Sequence, residues 1–108
     1  MKKVLKNTAK TKEYLDSLPK IYMVGLWAKY GVRDYPFTGK YVFNSDGISV
    51  PLVYHYDDFN GACDNYWLRR LDQTTSGWIV MWTQDKKLAD EIAKLLNKGM
   101  KEKWNTRN

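Results

Sequence analysis

Between Lys40 and Asp58 the chain reads KYVFNSDGISVPLVYHYDD, two runs of β-forming residues on either side of Asp46-Gly47. A two-residue type I′ turn needs φ > 0 at both central positions, which Asp-Gly tolerates. Such a turn joins only antiparallel neighbours, so it commits the chain to an antiparallel sheet. Pairing across it sets Ser45 opposite Ile48, Phe43 opposite Val50 and Tyr41 opposite Leu52, with Tyr54 and Tyr56 continuing that face. The opposite face, with Asn44, Ser49, Pro51 and His55, is expected to be wetter. Pro51 has no N–H to give to a ladder, so its strand is expected at an edge or bulged at that point.

The flanking segments add elements of both kinds. TAKTKEYLDSLPK predicts a short helix with Thr8 or Thr11 as its N-cap and Leu15 and Leu18 on one side, ended by Pro19. IYMVGLWAKYG predicts a strand over Ile21 to Tyr30 that is apolar on both faces. GVRDYPFTG, punctuated by Gly31, Pro36 and Gly39, reads as a loop, and DDFNGACDN as a second, polar one. YWLRRLD and GWIVMWT predict two strands joined by a turn around QTTSG. One register of that turn places Arg69 beside Val80 and Trp67 with Trp82; the other pairs Leu68 with Trp82.

The last element is a helix. Thr83 is its expected cap, with Asp85 in the first turn, and Leu88, Ile92, Leu95 and Leu96 form the expected buried stripe, with Ala89 and Ala93 at its margin. Asp90 and Lys94 are spaced as a favourable pair. The fold class is therefore α+β: an antiparallel sheet of about five strands, a short N-terminal helix, and an amphipathic C-terminal helix packed on one face. Short strand connections favour a meander. The chain of 108 residues reads as a single domain over 1–108, with a basic arm at 1–12 and a polar tail at 100–108.

Charge narrows the class of partner. The net charge is +6, but residues 1–12 hold five lysines and no acid, and residues 86–108 hold seven basic residues against three acidic ones. The middle, residues 13–85, holds six basic and nine acidic residues. A uniformly basic sheet lying on phosphates is not what this pattern describes. The opening MKKVLKNTAKTKEY is followed by no apolar run, so it does not read as a signal peptide. No segment approaches the roughly 20 apolar residues of a membrane helix. With the single cysteine, Cys63, these features predict a cytoplasmic protein without a disulfide.

Catalytic patterns are sparse. His55 is the one histidine, and nothing in the sequence orients it toward Cys63 as a dyad. Asp57, Asp58 and Asp64 could hold a hard cation, but an EF-hand alignment would put Tyr56 and Trp67 where acidic ligands are required. No phosphate-binding glycine loop is present. The expectation is a non-enzymatic protein with no cofactor, no metal and no small-molecule substrate.

Binding is what remains. Tryptophan, tyrosine and arginine dominate interface hot spots because they desolvate large areas at low entropic cost. Trp27, Tyr30, Arg33, Tyr35, Trp67, Arg69 and Arg70 are the candidate partner-binding residues, with Trp78 and Trp82 also available. Against this, two or three tryptophans are expected to pack under the helix, and Arg69 near Trp82 would make an ordinary surface cation–π pair. For direct nucleic-acid binding, the alternative, the candidates are Lys2, Lys3, Lys6, Lys10 and Lys12.

The run GWIVMWTQDKKLADEIAKLLN resembles the ending of many small phage and prophage proteins: a strand, a threonine, a charged turn, then an Ala/Ile/Leu helix closing on Leu-Leu-Asn. Proteins of that kind include anti-CRISPR and other anti-defence inhibitors. The resemblance implies an inhibitor that occupies a host protein or nucleoprotein complex. A second resemblance, to the arm-type DNA-binding domain of phage integrases, would use Lys40 to Asp57, Gly77 to Thr83 and the helix. Those domains usually carry basic residues along their strands, where this chain has few.

Overall fold

Thr8 opens the first helix as expected: its side chain accepts from the Thr11 amide at 3.1 Å, and the helix, α1, runs over Ala9–Ser17. A computed structural model describes residues 4–59 and 62–106, with side chains described outside 57–64 and 102–106. The remaining elements are β1 (Val4–Lys6), β2 (Lys20–Leu26), β3 (Tyr30–Phe43), β4 (Ser49–Phe59), β5 (Ala62–Arg70), a 3-10 turn at Leu71–Gln73, β6 (Trp78–Thr83) and α2 (Lys86–Thr106). They form the expected α+β fold, an antiparallel sheet with a short N-terminal and a longer C-terminal helix, and the sheet has six strands in the order β1-β5-β4-β3-β2-β6. No described helix is long and apolar enough to cross a membrane.

The strand order departs from a simple meander at its end. β6 does not pair with β5, so Trp67 and Arg69 do not meet Trp82 or Val80. The far edge of β5 is already taken by β1, with Val4 opposite Trp67 and Leu5 opposite Tyr66. β6 instead lies beside β2, with Met23 opposite Trp82 and Leu26 opposite Trp78. Within the expected basic arm at 1–12, the described residues hold β1 and the start of α1.

Packing divides the chain into two compact units. The first comprises Met1–Lys20 with Tyr35–Ser76. Its buried residues include Leu15 from α1, Tyr35 and Phe37 from β3, Val50, Val53 and Tyr54 from β4, and Leu71. The Tyr14 ring meets Tyr54 edge-on, with centroids 6.2 Å apart. β4 buries Pro51 and Val53 as well as Val50 and Tyr54, so the face expected to be wet is partly core. The segment expected as a loop around Pro36 and Gly39 is strand, and its Gly39 lies within a bulge instead. The β3–β4 register shifts between Phe37, opposite Val53, and Tyr41, opposite Pro51. Gly39 takes φ +83° within that shift, and the Thr38 hydroxyl donates to the Leu52 carbonyl at 2.8 Å. Pro51 also lies beyond the end of the β4–β5 ladder, which begins at Leu52 opposite Arg70. Its missing N–H therefore leaves no rung unmade there.

DDFNGACDN, expected as a loop, supplies the ends of two paired strands, with Phe59 opposite Ala62. Asn60 and Gly61 lie outside the described residues.

The second unit comprises Ile21–Asp34 with Gly77–Asn108. Its core joins Val24, Ala89 and Ala93 to Tyr22, Tyr30, Val32, Met81, Ile92 and Leu96. The buried side of α2 is thus centred on two alanines rather than on the leucines. Alanines let a helix backbone approach closely, and large residues of the strands, Tyr22, Tyr30 and Met81, fill the space from the other side. Leu88 and Leu95, expected inside, are 42% and 65% exposed. Asp85 rather than Thr83 caps α2, accepting from the Leu88 amide at 3.2 Å, while Thr83 accepts from the Asp85 amide. Asp90 pairs back to Lys86 at 2.9 Å instead of forward to Lys94. The helix continues through residues 100–106, the stretch expected as a polar tail.

Candidate functional site

The seven candidate partner-binding residues fall into both units. Trp27, Tyr30 and Arg33 belong to the second. The Trp27 indole lies on a floor of glycines: a Cβ at Gly25 would stand 2.7 Å from its Cη2, and one at Gly77 would be closer still to its Nε1. The Arg33 guanidinium carbon lies over the ring, 4.1 Å from its centroid. Trp27 is half-buried and Arg33 exposed, so one of this pair faces solvent while the other is largely spent on packing. Tyr30 is held by a residue the sequence reading missed. Asn97 of α2 accepts from the Tyr30 amide and donates to the Tyr30 carbonyl, both at 2.8 Å. Its amide satisfies both backbone groups as a neighbouring strand would. By sequence alone Leu-Leu-Asn reads only as a helix ending, and nothing there distinguishes Asn97 from a solvent-facing asparagine.

In the first unit, Tyr35 is buried, with its ring centroid 6.0 Å from that of His55. His55, expected to be a solvated strand residue, is half-buried and stacks on Tyr56 at 5.6 Å. Trp67 is half-buried between Val4 of β1 and His55 of β4. Arg69 is exposed, opposite Val53. Arg70 is engaged: its Nε donates to Asp72 Oδ1 at 3.0 Å, with both side chains less than a third exposed.

That ion pair belongs to a network at the turn of the β3–β4 hairpin. Asp72 Oδ2 accepts from Asn44 Nδ2 at 3.4 Å. Asn44 Oδ1 in turn accepts from the amides of Asp46 and Ile48, at 2.9 and 3.0 Å. The Asn44 amide donates to the Ile48 carbonyl and the Gly47 amide to the Asn44 carbonyl. The connection is therefore a three-residue loop, Ser45-Asp46-Gly47, with Gly47 at φ +77°, and not the two-residue turn expected from Asp-Gly. Asn44 is the signal that was available, because an asparagine before a turn competes for the backbone amides that follow it.

The longer loop moves the register by one residue. Phe43 is opposite Ser49, Val42 opposite Val50 and Tyr41 opposite Pro51. Phe43 is consequently 75% exposed, and Ile48 and Tyr41 are 53% and 52% exposed. Three large side chains read as one buried-side set instead surround a hydrogen-bonded turn. Trp78 is a further exposed aromatic at 75%, whereas Trp82 is half-buried.

Lys6, Lys10 and Lys12 are exposed on β1 and α1; Lys2 and Lys3 lie outside the described residues. The side chains of Asp57, Asp58, Cys63 and Asp64 also lie outside them, so the cation and dyad readings have no geometry here. Burial raises the Tyr54 hydroxyl above its ordinary value, and the neighbouring Tyr14 adds to the shift. Lys86 is raised by its hydrogen bond to Asp90. Set against protein-family models, curated proteins and solved structures, the chain matches none of them.

Proposed function

We propose that this chain is a binding protein, not an enzyme, that acts by occupying the surface of a host protein or nucleoprotein complex, as an inhibitor of the phage anti-defence type working in the host cytoplasm. The observation that carries the reading is the hairpin tip. Phe43 is 75% exposed on a turn fixed by Asn44. A large apolar side chain exposed on a pre-ordered loop gives up little conformational freedom on binding, which is what makes such a residue an anchor. Tyr41, two residues back on the same face of β3 and 52% exposed, enlarges the apolar area. Trp27, Arg33 and Arg69 are secondary contributors in this reading, while Tyr35 and Arg70 support the fold. The resemblance of Gly77 to Asn97 to phage proteins supports the biological setting.

The test is an affinity pull-down from bacterial lysate, with and without nuclease, using the wild-type chain and Phe43→Asp. A protein partner that survives nuclease and is lost with Phe43→Asp is the expected result. Partners that vanish with nuclease and are indifferent to Phe43 would favour the alternative, direct nucleic-acid binding. The exposure of Lys6, Lys10 and Lys12 supports that alternative. It further requires a steep salt dependence, because neutralised phosphates release counterions.

A further inference from the structure

We infer that the flank of α2 in its C-terminal half, where the helix runs alongside Lys29 and Tyr30, is a second docking groove, one that takes an acidic protein segment anchored by an aliphatic side chain. A depression of about 350 Å³ is bounded by Tyr30, Leu95, Leu96, Gly99 and Met100. A second, of about 730 Å³, shares Met100 and is bounded by Lys29, Asn97 and Lys101.

Gly99 is the telling residue. A glycine inside a helix is roughly 1 kcal/mol worse than alanine. Nothing in the described fold calls for it, since a Cβ there would meet no atom within 4 Å. The missing side chain leaves open space beside Leu95 and Met100, which are 65% and 43% exposed. A helix that exposes leucine and methionine around an unfilled glycine offers a hole for a side chain from outside.

Charge selects the occupant. Residues 94–101 contain Lys94, Lys98 and Lys101 and no acid, and Lys29 adds a fourth cation at the rim. The nearest acids along the helix, Glu91 and Glu102, lie outside that stretch. No ion pair among the described residues engages any of the four lysines. The groove's apolar walls favour a protein segment over a nucleic acid. Among the described residues they are mostly aliphatic, with no arginine to grip a phosphate through two parallel bonds. This surface is separate from the β3–β4 hairpin, so it stands or falls independently of the inhibitor reading.

The experiment uses the full chain and a fluorescent peptide of glutamates with leucines at helical spacing. Controls are the same peptide with serine for leucine, and a single-stranded oligonucleotide of equal charge. The leucine–glutamate peptide is expected to bind at least about tenfold more tightly than the serine version. Gly99→Met, which fills the hole and improves helix propensity, should weaken binding about tenfold or more while the chain stays folded. Leu95→Glu should do the same, and Phe43→Asp should leave binding unchanged. Equal binding by wild type and Gly99→Met would overturn the proposal. So would absent binding, or an oligonucleotide that binds as tightly as the peptide and displaces it.

Discussion

The β3–β4 hairpin and helix α2 both expose large apolar side chains, but they hold them in different ways. At the hairpin the exposed set is ordered by a few polar contacts that converge on Asn44, with two amides accepted at 2.9 and 3.0 Å. On α2 the exposed leucines ride on a helix whose other side is fastened by many small apolar contacts, centred on Ala89 and Ala93, and by Asn97. Polar bracing is concentrated, so one substitution can release it. Apolar packing is distributed, so a substitution at the periphery is absorbed but one at the centre is not. The hairpin surface should therefore be easy to disorder without unfolding the chain, and the helix surface should be lost only together with its unit.

The sharpest way to break this contrast is to crowd the helix at its closest approach. Ala89 is fully buried. Ala89→Leu hardly alters helix propensity, so its effect reports packing against Val24 and the strands. It should destabilise by about 1–3 kcal/mol, read as a lower urea midpoint at unchanged slope. An unchanged midpoint would mean that α2 does not rest on Ala89, and the account of the second unit would fail.

A smaller effect is expected at the brace. Asn44→Ala removes the acceptor of two short bonds and should cost about 1 kcal/mol. Asp72→Ala should cost less at the turn itself, because the Asn44–Asp72 bond is long at 3.4 Å and most of Asp72's strength goes to Arg70. Amide hydrogen exchange at Asp46 and Ile48 should accelerate in Asn44→Ala well before exchange in α2 changes. Acceleration everywhere at once would show that the tip is not a separately held feature.

These two regions also show how far local pattern reaches. The existence of a hairpin and of a C-terminal helix follows from residue type and spacing, and both are present. Which side chains end up outside depends on smaller things. In the hairpin, the Asn44 side chain selects a three-residue loop, and a strand's period of two turns a one-residue slip into an exchange of faces. In α2, two alanines set the line of closest approach, so Leu88 and Leu95 face outward while Ile92 and Leu96 keep their contacts. The pairing of β6 with β2 could not be read at all, because it joins strands far apart in the chain and no local pattern selects it. Of the candidate site residues, Trp27 and Arg33 do meet, but the glycine floor that places them is visible only once Gly25 and Gly77 are brought together in space.

The smallest expected effect is the most discriminating between folding and binding. Leu95→Gln exchanges one good helix former for another at a side chain that is 65% exposed. Phe43→Thr does the equivalent on a strand, at 75% exposure, with a residue that suits β-structure. Each should shift stability by no more than about 0.5 kcal/mol, as surface substitutions away from special features usually do. A side chain that gives the fold nothing, yet keeps a large apolar area in water, has a cost in solubility that folding does not repay. If Leu95→Gln instead lowered the unfolding midpoint as far as Ala89→Leu, the leucine would be a working part of the second unit's core, and the groove beside Gly99 would lose its reason to receive a partner. If Phe43→Thr did so, the hairpin tip would be structural too, and Arg69, Arg33 and Trp78 would become the surfaces to test next.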